Sequence, residues 1–231
     1  MVVDLFQRLL RGLPSQCAVC HRWPAHPVCE PCVAQFGQPV PRCQTCALPV
    51  LAGMRRCGAC IVAPPPLDQC LAAVPYTYPW AGLVQEFKFH EHTAWARSFS
   101  TLLRSAPWVE PALDAADWVL PMPLSKERLR WRGFNQASLL ARALEPTKVT
   151  HELLLRIKDT PPQSSLPRHE RLGSVRGAFA VDPLLASRLK DRSVVLVDDV
   201  MTSGASLHSA AKALRQAGVG HITAIVFART E

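Results

Sequence analysis

No unbroken apolar stretch in this sequence approaches the ~20 residues that a membrane-spanning helix needs. The opening MVVDLFQRLLRGLP has no leading basic block and no long apolar centre. With Val3, Phe6, Leu9 and Leu10 on one side, it predicts a short amphipathic helix rather than a signal peptide, and a cytoplasmic protein is expected. Low-complexity tracts are also missing. A composition of 48% hydrophobic and 19% charged residues excludes a disordered chain, and 231 residues suffice for one sizeable core plus a small module. Large apolar side chains are scarce between residues 17 and 60, so that stretch cannot be held by a hydrophobic core of its own. What the sequence has in excess is proline: 21 residues, ~9% against a usual ~5%. They crowd between residues 14 and 79 and recur at 161, 162 and 167, which predicts long irregular connections there.

Eight of nine cysteines fall within residues 17–60, as four C-x-x-C pairs at 17/20, 29/32, 43/46 and 57/60. This spacing lets one turn present two thiolates to a single ion, and Zn²⁺ takes four in a tetrahedron. Disulfides would need an oxidising compartment, and a redox motif would need one pair rather than four. Two structural zinc ions are therefore expected. The sequential assignment gives Cys17, Cys20, Cys29 and Cys32 to one, and Cys43, Cys46, Cys57 and Cys60 to the other; an interleaved cross-brace would exchange the middle pairs. His21 and His26 read as surface side chains, Cys70 as a buried strand residue. Arg22, Arg42, Arg55 and Arg56 could meet phosphates or simply face solvent. Formal net charge is +8, and eight thiolates with two Zn²⁺ would bring it to about +4.

IVAPPPLDQ, residues 61–69, is a stiff joint around Pro64 to Pro66, and it sets the expected division into a module of residues 1–62 and a domain of residues 63–231. Beyond it, strands are predicted in CLAAVPYTY, DWVLPMP, HELLLRI, VVLV and HITAIVFAR. Helices are predicted over Leu83 to Phe89, Trp95 to Leu103 and Asn135 to Leu144, the last capped by Asn135. Leu207, Ala210, Ala211 and Leu214 form one more helical stripe, with Gly218 as its stop. Alternating strands and helices argue for an α/β fold with a mostly parallel sheet.

VVLVDDVMTSGAS, residues 194–206, carries the chemistry. An apolar strand that ends in Asp198 and Asp199 puts two carboxylates at the carboxyl edge of such a sheet, where open α/β folds bind ligands. Thr202, Ser203, Gly204, Ala205 and Ser206 then lead into a helix. Small residues, hydroxyls and a helix N-terminus make a phosphate cradle. The carboxylates can accept from sugar hydroxyls or hold Mg²⁺, so the ligand implied is a sugar phosphate. A phospho-acceptor receiver domain would need a further aspartate and a lysine on later strands, and only 32 residues follow Asp199.

Residues 121–180 hold eleven Lys and Arg against five Asp and Glu. In RLRWRGFNQ, Arg128, Arg130 and Arg132 alternate, and in an extended loop they would share one face, with Lys126 close by. Arginine forks suit pyrophosphate oxygens, and Gly133 allows a tight turn before the next helix. A DNA-contacting loop is the alternative. Residues 156–179 read as a long, basic, proline-broken lid.

VVLVDDVMTSGAS resembles the phosphoribosyl pyrophosphate (PRPP) loop of type I phosphoribosyltransferases. With the four C-x-x-C pairs, RLRWRGFNQA and the spacing of Thr160, Gln163, Leu166 and Arg171, nearly the whole chain resembles the competence protein F (ComF) family. Ser203 and Ser206 stand where that family more often has threonine, and Ser174 where it usually has asparagine. The resemblance implies a type I phosphoribosyltransferase fold behind a double zinc ribbon, and a part in the uptake or processing of transforming DNA. It implies that Asp198 and Asp199 act at the ribose and in catalysis, Thr202 to Ser206 at the 5′-phosphate, and Arg128, Arg132 and Gly133 at the pyrophosphate, with Mg²⁺ bound alongside PRPP. Lys88 matches a lysine the family tends to carry after its first helix. Two classes of function stay open: a phosphoribosyltransferase, and a non-catalytic adaptor that binds single-stranded DNA and works with DNA-uptake proteins.

Overall fold

The alternation beyond residue 68 becomes a four-stranded parallel sheet in the computed structural model, which describes residues 15–89, 92–158 and 177–231. The N-terminal helix expected over residues 1–14, and Thr160, Gln163, Leu166, Arg171 and Ser174 of the expected lid, lie outside the described residues. The chain divides into two compact units, residues 1–38 and 39–231. The boundary read from the proline-rich joint, 62/63, lies inside the second unit, because the second cysteine group shares a buried core with the α/β body.

Each unit opens on the same cysteine knuckle. Ser15 bridges Ala25 in the first, Arg42 bridges Pro49 in the second, and both turns close through a left-handed residue, His21 at φ +59° and Ala47 at φ +57°. A short helix follows each, α1 (Glu30–Phe36) starting directly after Cys29 and α2 (Gly58–Val62) directly after Cys57.

Strands β1 (Gln69–Pro75) and β2 (Trp118–Pro121) form the two edges of the parallel sheet. Strands β5 (Ser193–Met201) and β6 (His221–Arg229) fill its centre, in the order β1-β6-β5-β2. Cys70, Ala224, Leu196 and Leu120 stand in one register row across it. That face packs against α8 (Ala205–Gln216), which buries Leu207, Ala210, Ala211 and Leu214 as their spacing predicts. Gly218 follows at φ +85°, and the Val219 N–H closes back on the Leu214 carbonyl. Cys43, Cys46 and Cys60 belong to the same core.

The opposite face is aromatic. Phe227 of β6 stacks on Phe99 of α4 (Trp95–Ser105) at 3.8 Å and meets Trp80 of α3 (Trp80–Phe89) edge-on at 5.9 Å. Each buried phenylalanine contributes roughly 1.5–3 kcal/mol of transfer free energy, plus its ring contacts. A short α5 (Val109–Asp114) connects α4 to β2. Between β2 and the hairpin partner strands β3 (Leu154–Arg156) and β4 (Phe179–Val181), which pair antiparallel, lie α6 (Lys126–Arg132) and α7 (Gln136–Leu144).

Candidate functional site

Within each cysteine group, all four sulfur atoms lie within 4.8 Å of one another. The grouping is sequential, Cys17 with Cys20, Cys29 and Cys32, and Cys43 with Cys46, Cys57 and Cys60, which excludes the cross-brace. Cys17 and Cys32 are 3.9 Å apart, Cys20 and Cys29 3.5 Å, Cys46 and Cys57 3.6 Å. A disulfide needs about 2.0 Å. Four sulfurs around Zn²⁺ at ~2.3 Å stand about 3.8 Å apart, so the spacing fits a tetrahedral zinc and no disulfide. Burial pushes the Cys17 thiol up, yet backbone N–H groups, including that of Cys29, pull it down to about 6, whereas burial and its neighbours push Cys32 to about 12. Thiols this close cannot all ionise without a cation among them. Each group can thus hold a structural zinc.

The second candidate lies at the carboxyl rim of the sheet. β5 does not stop at the acidic pair, as expected, but runs on to Met201 because β6 continues to pair with it. The rim is set instead by β2, whose last residue, Pro121, pairs with Val197. Strand alternation sends the two carboxylates to opposite faces. Asp199 is buried and accepts an ion pair from Lys88 Nζ, at the end of α3, at 3.0 Å. Asp198 is half-buried, and its carboxylate Oδ1 accepts the Asp199 N–H at 2.9 Å. Burial, and next the Asp199 carboxylate, raise the Asp198 pKa to about 7; Lys88 only partly offsets this.

The arginine segment departs from expectation. It is a helix, not an extended loop. Ser125 is buried and caps it by accepting the Arg128 N–H, and Gly133 stops it at φ +77° with its N–H on the Leu129 carbonyl. On a helix, residues four apart share a face and residues two apart do not. Arg128 and Arg132 are half-buried together, and Arg130 turns to solvent.

Arg132 lies within electrostatic range of the acidic pair. Burial lowers its pKa, Asp199 pulls the other way, and Arg128 adds to the lowering. Its Nη1 donates to Gln136 Oε1 at 2.8 Å, and buried Gln136 donates in turn to the Lys88 carbonyl at 3.4 Å. Arg132 Nε is buried without a hydrogen-bond partner among the described residues, and the guanidinium lies 5.2 Å from the Phe89 ring centre. A buried donor on a cation with no partner among the described residues calls for a further acceptor. Exposed Trp131 stands edge-on to Phe89 at 6.2 Å.

After Met201 the chain bends through Thr202, Ser203 and Gly204 into α8. Gly204 sits at φ +78°, and a Cβ there would fall 2.8 Å from the His208 ring and closer still to Met201 Cε. The Ser203 hydroxyl oxygen accepts the Ala205 N–H at 3.4 Å. A helix start of this kind aims N–H groups and partial positive charge outward. Lys88 thus pairs with Asp199, Arg132 feels the charge of both aspartates, Arg128 shares the face of Arg132, and Thr202 to Ser206 follow directly on β5. Gln136 and Arg229 carry weight here without having been singled out from the sequence. Arg229, 3% exposed, donates to the Cys46, Met201 and Thr202 carbonyls.

Comparison with known proteins agrees with this geometry. Residues 132–231 match the phosphoribosyl transferase domain family. The chain is 30% identical over 203 residues to competence protein F of Haemophilus influenzae, covering 84% of this chain and 87% of that protein. It is 27% identical over 209 residues to DNA utilization protein YhgH of Salmonella typhimurium, 88% and 90% of the two chains. Over 100 residues it is 38% identical to competence protein ComFC of Bacillus subtilis, 43% of this chain and 39% of that one. The chain therefore belongs to the competence protein F family, as a phosphoribosyltransferase domain preceded by two four-cysteine groups of zinc-ribbon type.

Proposed function

We propose that the rim of the sheet binds a 5-phosphoribosyl ligand, PRPP or a close relative, with Mg²⁺, and that the protein uses this site in handling DNA taken up for transformation. The observation that carries the reading is the buried Arg132 Nε, which has no partner among the described residues, on a guanidinium that feels the charge of both Asp198 and Asp199. In this assignment Thr202 to Ser206 receive the 5′-phosphate, Asp198 and Asp199 receive the ribose hydroxyls and hold Mg²⁺ directly or through water, and Arg128, Arg132 and Gly133 receive the pyrophosphate. Lys88, 3.0 Å from Asp199, balances the charge of that carboxylate before ligand arrives. The bound cation supplies charge for a leaving pyrophosphate. The reaction such a site supports is displacement at the anomeric carbon. The bond to the pyrophosphate oxygen breaks, an acceptor nucleophile bonds to C1 and loses its proton, and pyrophosphate leaves with the electron pair. Zinc in the two cysteine groups is structural. The names of the relatives, competence protein F and DNA utilization protein, support the place in DNA handling.

A second reading rests on the exposed rings of Phe89 and Trp131 on the same rim, flanked by Arg128 and Arg130. Aromatic faces beside cations suit stacked bases of single-stranded DNA, which a non-catalytic adaptor would bind. Calorimetric titration separates the two. Asp198→Asn with Asp199→Asn abolishes PRPP·Mg²⁺ binding and leaves DNA binding nearly intact on the first reading. Unchanged PRPP affinity in the double variant sinks it. DNA affinity that falls steeply with salt, with no pyrophosphate released from PRPP by any base, nucleoside or DNA acceptor, favours the adaptor.

A further inference from the structure

We infer that the second cysteine group, Cys43, Cys46, Cys57 and Cys60, is a positioning element of the anion loop at residues 201–206, coupled to it through the guanidinium of Arg229. The inference rests on the reading of that loop as a phosphate receptor, and gives the metal in this group a task besides holding its own ribbon.

Arg229 is the last residue of β6 and the only charged one in HITAIVFAR. A fully buried arginine is costly unless every donor is used, so its partners define what it holds. Its Nε donates to the Cys46 carbonyl at 2.8 Å. Its Nη1 donates to the Met201 carbonyl at 3.0 Å, to the Thr202 carbonyl, and to the Thr230 carbonyl beside it. One planar fork thus joins the cysteine knuckle to the first two residues of the loop. A rigid fork fixes both ends in a way a flexible ammonium cannot.

A second route runs in parallel and does not use Arg229 side-chain bonds. The Cys70 N–H of β1 donates to the Gln44 carbonyl, inside the same knuckle, at 2.7 Å. The Cys70 thiol lies 3.5 Å from Met201 Sδ. Both routes converge on Met201, and Met201 Cε abuts Gly204, the residue that turns the loop into α8. The four sulfurs lie within 4.8 Å of one another, so one shared cation would tie the Cys43–Cys46 turn to Cys57 and Cys60. Loss of that ion releases the Cys46 and Gln44 carbonyls, and with them the hold on Met201 and Thr202. The first cysteine group, in the other compact unit, supplies none of these bonds and is the internal control.

The test uses amide hydrogen exchange on the full zinc-loaded chain, read by peptide over residues 201–208, with binding of ribose 5-phosphate measured beside it. Three variants are compared. Cys57→Ser disables the second group, Cys20→Ser disables the first, and Arg229→Lys keeps all cysteines and the charge but loses the fork. Exchange of the loop amides accelerates about ten-fold or more in Cys57→Ser and in Arg229→Lys, and stays within about two-fold of the parent in Cys20→Ser. Zinc content falls by one ion per chain in each cysteine variant and is unchanged in Arg229→Lys. Loop exchange in Cys57→Ser no faster than in the parent overturns the inference, as does equal acceleration in Cys20→Ser. Parent protein that shows the exchange pattern but takes up no ribose 5-phosphate keeps the coupling and overturns the reading of the loop as a phosphate site.

Discussion

Two glycines offer a controlled measurement of what the anion loop tolerates. Gly133 and Gly204 have nearly the same backbone, φ +77° and +78°. A Cβ on Gly133 meets nothing within 4 Å, whereas one on Gly204 falls 2.8 Å from two atoms of the His208 ring and nearer to Met201 Cε. Alanine at either site bears the left-handed penalty, roughly 1–2 kcal/mol, less roughly 0.4–1 kcal/mol gained from a stiffer unfolded chain. That leaves Gly133→Ala costing about 1 kcal/mol. Gly204→Ala adds overpacking of roughly 1–3 kcal/mol, because Met201 is buried against Cys70 and cannot swing away freely. The total is about 2–4 kcal/mol, a fall in melting midpoint of roughly 5–15 °C against about 3 °C for Gly133→Ala. Thermal unfolding followed by circular dichroism reads both, and titration with ribose 5-phosphate reads the loop, where Gly204→Ala loses at least about ten-fold in affinity. Equal midpoints for the two variants would refute the packing argument, since only the surroundings differ.

Four further expectations concern the rim and the cysteines. Asp198 holds its proton up to about 7 and must release it to hold Mg²⁺, so Mg²⁺-dependent ribose 5-phosphate affinity climbs from pH 6 to 7 and levels above it, a slope that Asp198→Asn removes. Without Mg²⁺ the same raised pKa makes the native state bind more protons than the unfolded one between about pH 4 and 7, so its contribution to stability falls as pH rises through that window, and denaturation midpoints across it check the sign. Arg132→Met weakens pyrophosphate binding at least ten-fold while Arg130→Met, on the solvent side of the same helix, leaves it within about two-fold by calorimetry. Chelation removes two zinc ions per chain and opens residues 15–38 to limited proteolysis, because that stretch buries few large apolar side chains; a segment that stays resistant after metal loss contradicts the structural role.

Most of the α/β body was legible because its signals are local. The stripe of Leu207, Ala210, Ala211 and Leu214, the Asn135 cap, and the unbroken VVLV run each fix one element without help from the rest. The sequential grouping of the cysteines needed the structure, since either pairing satisfies the spacing. Arg128, Arg130 and Arg132 misled because their alternation suits an extended loop, whereas the segment is a helix that Ser125 caps and Gly133 ends. The end of β5 was misplaced for a different reason: where a strand stops depends on how far its neighbour runs, and β6 carries it to Met201. Arg229 was invisible as a site residue, because a terminal arginine on an apolar strand ordinarily reaches solvent, and only tertiary packing turns it inward.

β6 lies between β1 and β5, yet it is the last of this sheet's four strands in chain order. Without it, β1 and β5 have no pairing to each other, since in the sheet they stand two strand spacings, roughly 10 Å, apart. Both bordering edges are apolar and open to pairing with another polypeptide. A chain cut before this strand therefore loses more than an edge: its sheet is split, and two margins are left open to pairing.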